Sequence, residues 1–233
     1  MLLLAFESSA KSAGAALWQD GALLGEYHQN SGQTHSRTLL KMAEDLLRNC
    51  DLSVRELDAV AAAAGPGSFT GLRIGLAAAK GLAWGREIPC VGVSTLEAMA
   101  LSCALADGVL VCCMDARRQQ VYNALFDVTD GVVTRLTEDR AISVGELDEA
   151  LKKIEKTKIL VGDGALLCYN TLQNRSNLLL APEHLRMQRA SGVALAAAAQ
   201  LSRGETVPAE AVNLNYLRLS QAERERAEKQ KRM

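Results

Sequence analysis

Val60-Ala61-Ala62-Ala63-Ala64, then Gly65-Pro66-Gly67-Ser68-Phe69-Thr70-Gly71, then Leu72 to Trp84, is the stretch on which the fold turns. A short apolar run bounded by glycine and proline reads as a buried strand, although alanine is a poor strand former. The glycine-rich segment reads as a loop that opens a helix running to about Trp84. Within that helix Gly71, Gly75, Ala79 and Ala83 recur every four residues and form one smooth face. A glycine inside a helix costs about 1 kcal/mol relative to alanine, so Gly75 and Gly81 need a packing reason. The spacing leaves two partners open for the smooth face: the chain's own sheet, or another subunit.

Upstream, Leu2 to Ser8, Ala13 to Gln19 and Ala22 to His28 read as three strands. Asp20-Gly21 gives the hairpin turn between the last two. Ser36 to Cys50 reads as a helix with Leu39, Leu40, Ala43, Leu46, Leu47 and Cys50 on or near one face. Ser53-Val54-Arg55-Glu56 has capping-box spacing and marks a short helical turn. Downstream, Cys90 to Val93 is a strand, and Ser94-Thr95-Leu96-Glu97 caps a helix to about Ala104. Three meandering strands followed by strand–helix crossovers give a mixed sheet with helices on its faces. That order suits a ribonuclease-H-like lobe.

The second half repeats the order without repeating the sequence. Val109 to Asp115, Val121 to Asp127 and Val132 to Thr137 read as strands, with a turn at Asp130-Gly131. Ser143 to Glu146 caps a helix to about Lys153; Lys158 to Val161 is a strand, with a helix after Gly164. Ser191 to Ser202 is an alanine-rich helix. The expected organisation is α/β with two related lobes, 1–105 and a reduced 106–220, followed by a charged tail, 221–233. That tail reads as a frayed helix or as disordered chain.

The 233 residues suffice for two lobes with cores, and the formal net charge of -1 does not favour a dedicated nucleic-acid binder. The six cysteines contain no C-x-x-C pair and sit mostly in apolar runs. With only three histidines, a zinc site is not expected, and the thiols are expected free in a reducing cytosol. Met1 to Phe6 is apolar but short and lacks a basic start, so neither a signal peptide nor a membrane span is expected there.

Several residues invite a functional reading. The glycine loop is neither a P-loop nor a G-x-S-x-G elbow. Its amides around Gly67, Ser68 and Thr70 can hold an anion, but spacing favours the plainer reading, in which Ser68 or Thr70 caps the helix. Glu7 and Asp115 end the first strands of the two halves, where carboxylates can hold a metal–nucleotide complex or serve as turn residues. His35 reads first as structural or exposed, and Arg117 and Arg118 as a solvated face. No H-E-x-x-H occurs, which speaks against a zinc-type peptidase.

Taken together, Gly65 to Gly75, Phe6-Glu7-Ser8-Ser9, His35-Ser36-Arg37-Thr38-Leu39-Leu40, Gly92-Val93-Ser94-Thr95-Leu96, Asp115-Ala116-Arg117-Arg118 with Val121-Tyr122, and Tyr216-Leu217-Arg218 resemble the TsaB (YeaZ) family. They fall in family order over nearly the whole chain. The resemblance implies two lobes of the actin, sugar-kinase and heat-shock-ATPase type, in the cytoplasm. It implies a non-catalytic partner in forming threonylcarbamoyladenosine in tRNA beside the anticodon, without a cofactor or metal of its own. The implied partners are a catalytic TsaD-like paralogue and a small TsaE-like ATPase, with tRNA reached through the complex and a homodimer when alone. That paralogue holds a metal through His-x-x-x-His; here Leu39 stands four residues after His35. The resemblance places the partner surface on the first two long helices: His35, Leu39, Met42, Leu46, Gly71, Leu72, Gly75, Leu76, Ala79 and Ala83. The alternative is an autonomous nucleotide-dependent ATPase or phosphotransferase on the same fold, although Glu7 stands where many actin-like ATPases have Asp.

Overall fold

A computed structural model describes residues 1–172 and 176–218. The first sheet has the order β3-β2-β1-β4-β5. Strands β1 (Leu2–Glu7), β2 (Ala13–Gln19) and β3 (Ala22–Gln29) form an antiparallel meander. Strands β4 (Ala59–Gly65) and β5 (Cys90–Ser94) then add in parallel to β1. The Asp20-Gly21 turn takes positive φ at both positions (48° and 92°), as the tight hairpin requires. Despite its alanines, β4 is buried along its whole length between two helical layers. Small side chains suit a central strand approached from both faces.

The second sheet has the order β11-β10-β6-β7-β8, and β9 also pairs β7. Strands β6 (Gly108–Asp115), β7 (Gln120–Thr129) and β8 (Val132–Arg135) repeat the meander, and β10 (Lys158–Val161) and β11 (Leu178–Leu180) repeat the parallel additions. The echo read in the sequence is therefore an echo of topology. The short strands β9 (Arg140–Ser143) and β11 are additions to the sequence reading, since neither is long enough to show a period.

Helices α1 (His35–Asn49) and α2 (Phe69–Arg86) cover one face of the first sheet. On α1, Leu39, Met42, Ala43, Leu46 and Leu47 are buried, and a buried leucine contributes about 1.5–3 kcal/mol. The other face holds α3 (Thr95–Ser102) and α7 (Ala190–Ser202). Helix α3 also packs against the second sheet, so it joins the lobes. Helices α4 (Val144–Leu151) and α5 (Ala165–Thr171) cover the second sheet's outer face, and α6 (Glu183–Arg186) is a single turn. Cys112 and Cys113 enter opposite faces of that sheet, and all six thiols are free.

The boundary expected at 105/106 needs correction. Helix α7 and the segment around Ala209, Val212 and Leu214 join the cores of the first sheet, so the first lobe is discontinuous. Glu26 on β3 anchors the return: its carboxylate accepts from Arg189 Nη2 (2.6 Å) and from Ser191 N (3.0 Å) at the start of α7. Charge-assisted bonds of this kind, made by a largely buried carboxylate, are invisible in sequence order. Residues 221–233, expected to form the charged tail, lie outside the described residues.

Candidate functional site

Two regions gather the candidate residues: the α1–α2 face, and a cleft between the lobes. Helix α2 begins at Ser68, whose Oγ accepts from Gly71 N at 3.3 Å, so the capping reading of the glycine loop holds. The smooth face of α2 then turns inward. Added Cβ atoms at Gly71 and Gly75 would collide with Ser8 O and Ser8 Oγ at the end of β1. Ser8 Oγ also donates to Gly71 O at 2.9 Å. Leu72, Leu76, Ala79 and Ala83 are buried beside them, as are Leu39, Met42 and Leu46 on α1.

These nine residues, expected at a subunit surface, therefore pack within this chain; the small side chains let α2 lie close to its own sheet. His35 Nε2 lies 2.8 Å from Ala10 O, tying α1 to the β1–β2 turn. The outward face of α2 carries a second run of small residues, Ala77, Gly81 and Gly85, with Trp84 78% exposed. A Cβ at Gly81 or Gly85 would meet nothing within 4 Å. Beside this face a groove of about 500 Å³ runs between the helices, lined by Leu40, Ala43, Glu44, Leu47 and Leu82 among others.

The cleft has a volume of about 750 Å³. Its wall from the first lobe is Ser9 to Ser12 and Gly67 to Thr70; from the second come Asp115 to Arg117, Tyr122, Asp163 and Gln188. Gly67, Ser68 and Thr70, the candidates for anion binding, all line it. Ser68 N donates to Ser9 O at 2.7 Å, which fixes the glycine loop on the β1–β2 turn. Arg117, Arg118 and Gln119 hold three consecutive left-handed conformations (φ 65°, 56° and 57°), with Arg117 N donating to Asp115 Oδ1 at 2.7 Å. The C-terminal segment closes the rim: Tyr216 stacks on Phe69 at 4.3 Å, and Arg218 donates to Ala116 O.

Acids stand at the floor. Glu7 is fully buried, and burial pushes its carboxyl up to about 7, opposed by the Ser9 hydrogen bonds and assisted by Asp163. Asp163 is raised by burial, which the bond from Gln188 Nε2 (2.8 Å) partly offsets, while Asp115 raises it further. Asp163 and Gln188 escaped the sequence reading; the only trace was Gly162-Asp163-Gly164 following a strand. Among the described residues no three acid, histidine or cysteine side chains are grouped so as to hold a metal ion. None of the described helices is long and apolar enough to cross a membrane.

A family profile described as "TsaD: tRNA N6-adenosine threonylcarbamoyltransferase" matches residues 26–225. The chain is 33% identical over 162 residues to the tRNA threonylcarbamoyladenosine biosynthesis protein TsaB of Bacillus subtilis, covering 70% of this chain and 71% of that protein. It is 30% identical over 221 residues to TsaB of Escherichia coli, covering 94% and 95%. Its structure superposes on YeaZ from Pseudomonas aeruginosa with a TM-score of 0.81 and 25% identity, covering 93% and 99%.

Proposed function

The chain belongs to the TsaB family of tRNA threonylcarbamoyladenosine biosynthesis proteins, and from that premise we propose that it is the non-catalytic partner of a TsaD-like transferase. Its part in forming threonylcarbamoyladenosine in tRNA is to bind and activate that paralogue through the outward face of α1 and α2. A TsaE-like ATPase and the tRNA then join through the assembly, and the same face pairs two copies of the chain when the paralogue is absent. It works in the cytoplasm.

One observation carries the placement. Gly81 and Gly85 lie in or near the interior of an 18-residue helix with no internal group near them. Their cost of about 1 kcal/mol each is therefore not recovered inside the monomer. Close approach of another backbone recovers it, and Trp84 on the same helix and Leu40 on α1 are large exposed apolar anchors of the sort that bind partners. The non-catalytic reading is supported by the sequence, which has no His-x-x-x-His and no P-loop.

The test is light scattering on the chain mixed with the TsaD-like subunit of the same organism. A stable complex that Trp84→Ala weakens is expected. A complex that forms equally well with Trp84→Ala and Gly81→Leu would move the interface elsewhere.

A further inference from the structure

Apart from any role of the α1–α2 face, the cleft between the lobes carries its own signature. Among the described residues, six buried side-chain polar atoms lack a well-formed hydrogen bond; Ser9 Oγ and Gln188 Oε1 belong to residues lining this cleft, and Glu7 Oε2 to the residue bonded to Ser9 N. Ser9 and Gln188 are each 1% exposed and line it; Glu7 is 0% exposed and accepts from Ser9 N at 2.6 Å. A buried polar atom without a partner costs free energy, so a cluster of them needs an explanation. Gln188 Oε1, an amide oxygen, is an acceptor that calls for a donor.

The opposite wall has the converse need. Helix α2 has no acid in its first turn. Its Phe69 and Thr70 amides are first-turn donors, which an α-helix leaves without intrahelical acceptors. Ser9, Lys11 and Arg117 line the same cleft. The two walls are one connected structure. Ser68 is bonded to Ser9 and Ser9 to Glu7; Gln188 donates to Asp163, and Ser12 Oγ donates to Gln188 O at 3.3 Å.

We propose that this cleft binds a small zwitterion of the α-amino-acid class. Its ammonium donates to Gln188 Oε1 and faces Asp163 and Asp115. Its carboxylate accepts from Ser9 Oγ and the Phe69 and Thr70 amides. A polyanion alone fits poorly, because Asp115 and Asp163 line the cleft, and its acids are not grouped as a metal cage. A simple amine would leave the α2 amides unused, and a simple carboxylate would leave the acceptors unused.

The experiment is calorimetric titration of the full chain with each common L-amino acid. Ethylammonium, acetate and magnesium–ATP serve as comparison probes. At least one amino acid should bind saturably, and ethylammonium and acetate should each bind it at least about tenfold more weakly. Ser9→Ala and Gln188→Met should each lower that affinity by about three- to tenfold, the size of one lost hydrogen bond.

A melting curve separates this from a structural role. Ser9 Oγ makes no well-formed hydrogen bond in the free protein and only eases the burial of Glu7, so Ser9→Ala should change the melting temperature of the free chain by no more than about 2 °C. The proposal is overturned if no amino acid binds, if either variant binds with unchanged affinity, or if Ser9→Ala lowers the melting temperature by more than about 4 °C, which would make Ser9 a structural residue. Saturable magnesium–ATP binding that excludes the amino acid would assign the cleft to a metal–nucleotide instead.

Discussion

Replacing Gly81 separates what the outward face of α2 does for this chain from what it does for a partner. Position 81 is exposed in a helix interior, and a Cβ there meets nothing within 4 Å. Gly81→Ala should therefore stabilise the isolated chain by about 1 kcal/mol, the helix-propensity difference. For a domain of this size that raises the melting temperature by roughly 2–4 °C. Gly81→Leu should do nearly as much for the monomer. In the proposed complex, however, the leucine would intrude where two backbones are proposed to approach, and overpacking of that kind costs about 1–3 kcal/mol. Affinity should then fall by roughly tenfold to more than a hundredfold. Gly75→Ala is the control: its Cβ collides with Ser8 Oγ, so it should lower the melting temperature of the chain alone. Thermal melting of each isolated variant, with surface plasmon resonance against the TsaD-like subunit, reads both effects. A Gly81→Leu chain that melts higher and still binds at full strength would refute the placement.

Further outcomes follow from the interior. Glu7 has a folded pKa of about 7 against an ordinary value of 4.5, so the folded state binds more protons than the unfolded between those limits. Stability should thus fall as pH rises from about 4.5 to 7, and Glu7→Gln should flatten that decline in denaturant titrations. Removing Glu26 leaves Arg189 without its carboxylate partner, and Glu26→Ala should cost about 3 kcal/mol in a urea titration. Ser68→Ala removes the α2 cap and should cost about 1 kcal/mol by the same measurement. In native protein, iodoacetamide should label Cys50 well ahead of the five buried thiols, as read by mass spectrometry.

The sequence was most legible where local chemistry and period agreed. Asp20-Gly21 and Asp130-Gly131 mark the two hairpins, Ser94 marks a helix start, Ser68 or Thr70 marks another that the structure resolves to Ser68, and the duplicated meander gives two lobes. Burial direction was less legible. The stripe of Gly71, Gly75, Ala79 and Ala83 has one periodicity whether it meets a sheet or a subunit, and only Ser8 pressed against it decides. The discontinuous first lobe was hidden for a related reason: Ala190 to Ser202 is apolar nearly all round, and its docking depends on Glu26, more than 160 residues earlier. The cleft residues Asp163 and Gln188 carried no motif, because what makes them notable is which of their atoms lack partners.

The central claim, a partner subunit without transferase chemistry of its own, is tested most directly by a tRNA threonylcarbamoylation assay. It is run with this chain alone, with the TsaD-like subunit alone, and with both, in the presence of the TsaE-like ATPase and threonylcarbamoyl-adenylate. Modified adenosine should appear at a useful rate only with both subunits present, and Gly81→Leu in this chain should suppress it. Turnover by this chain alone, abolished by Glu7→Gln, would contradict the account.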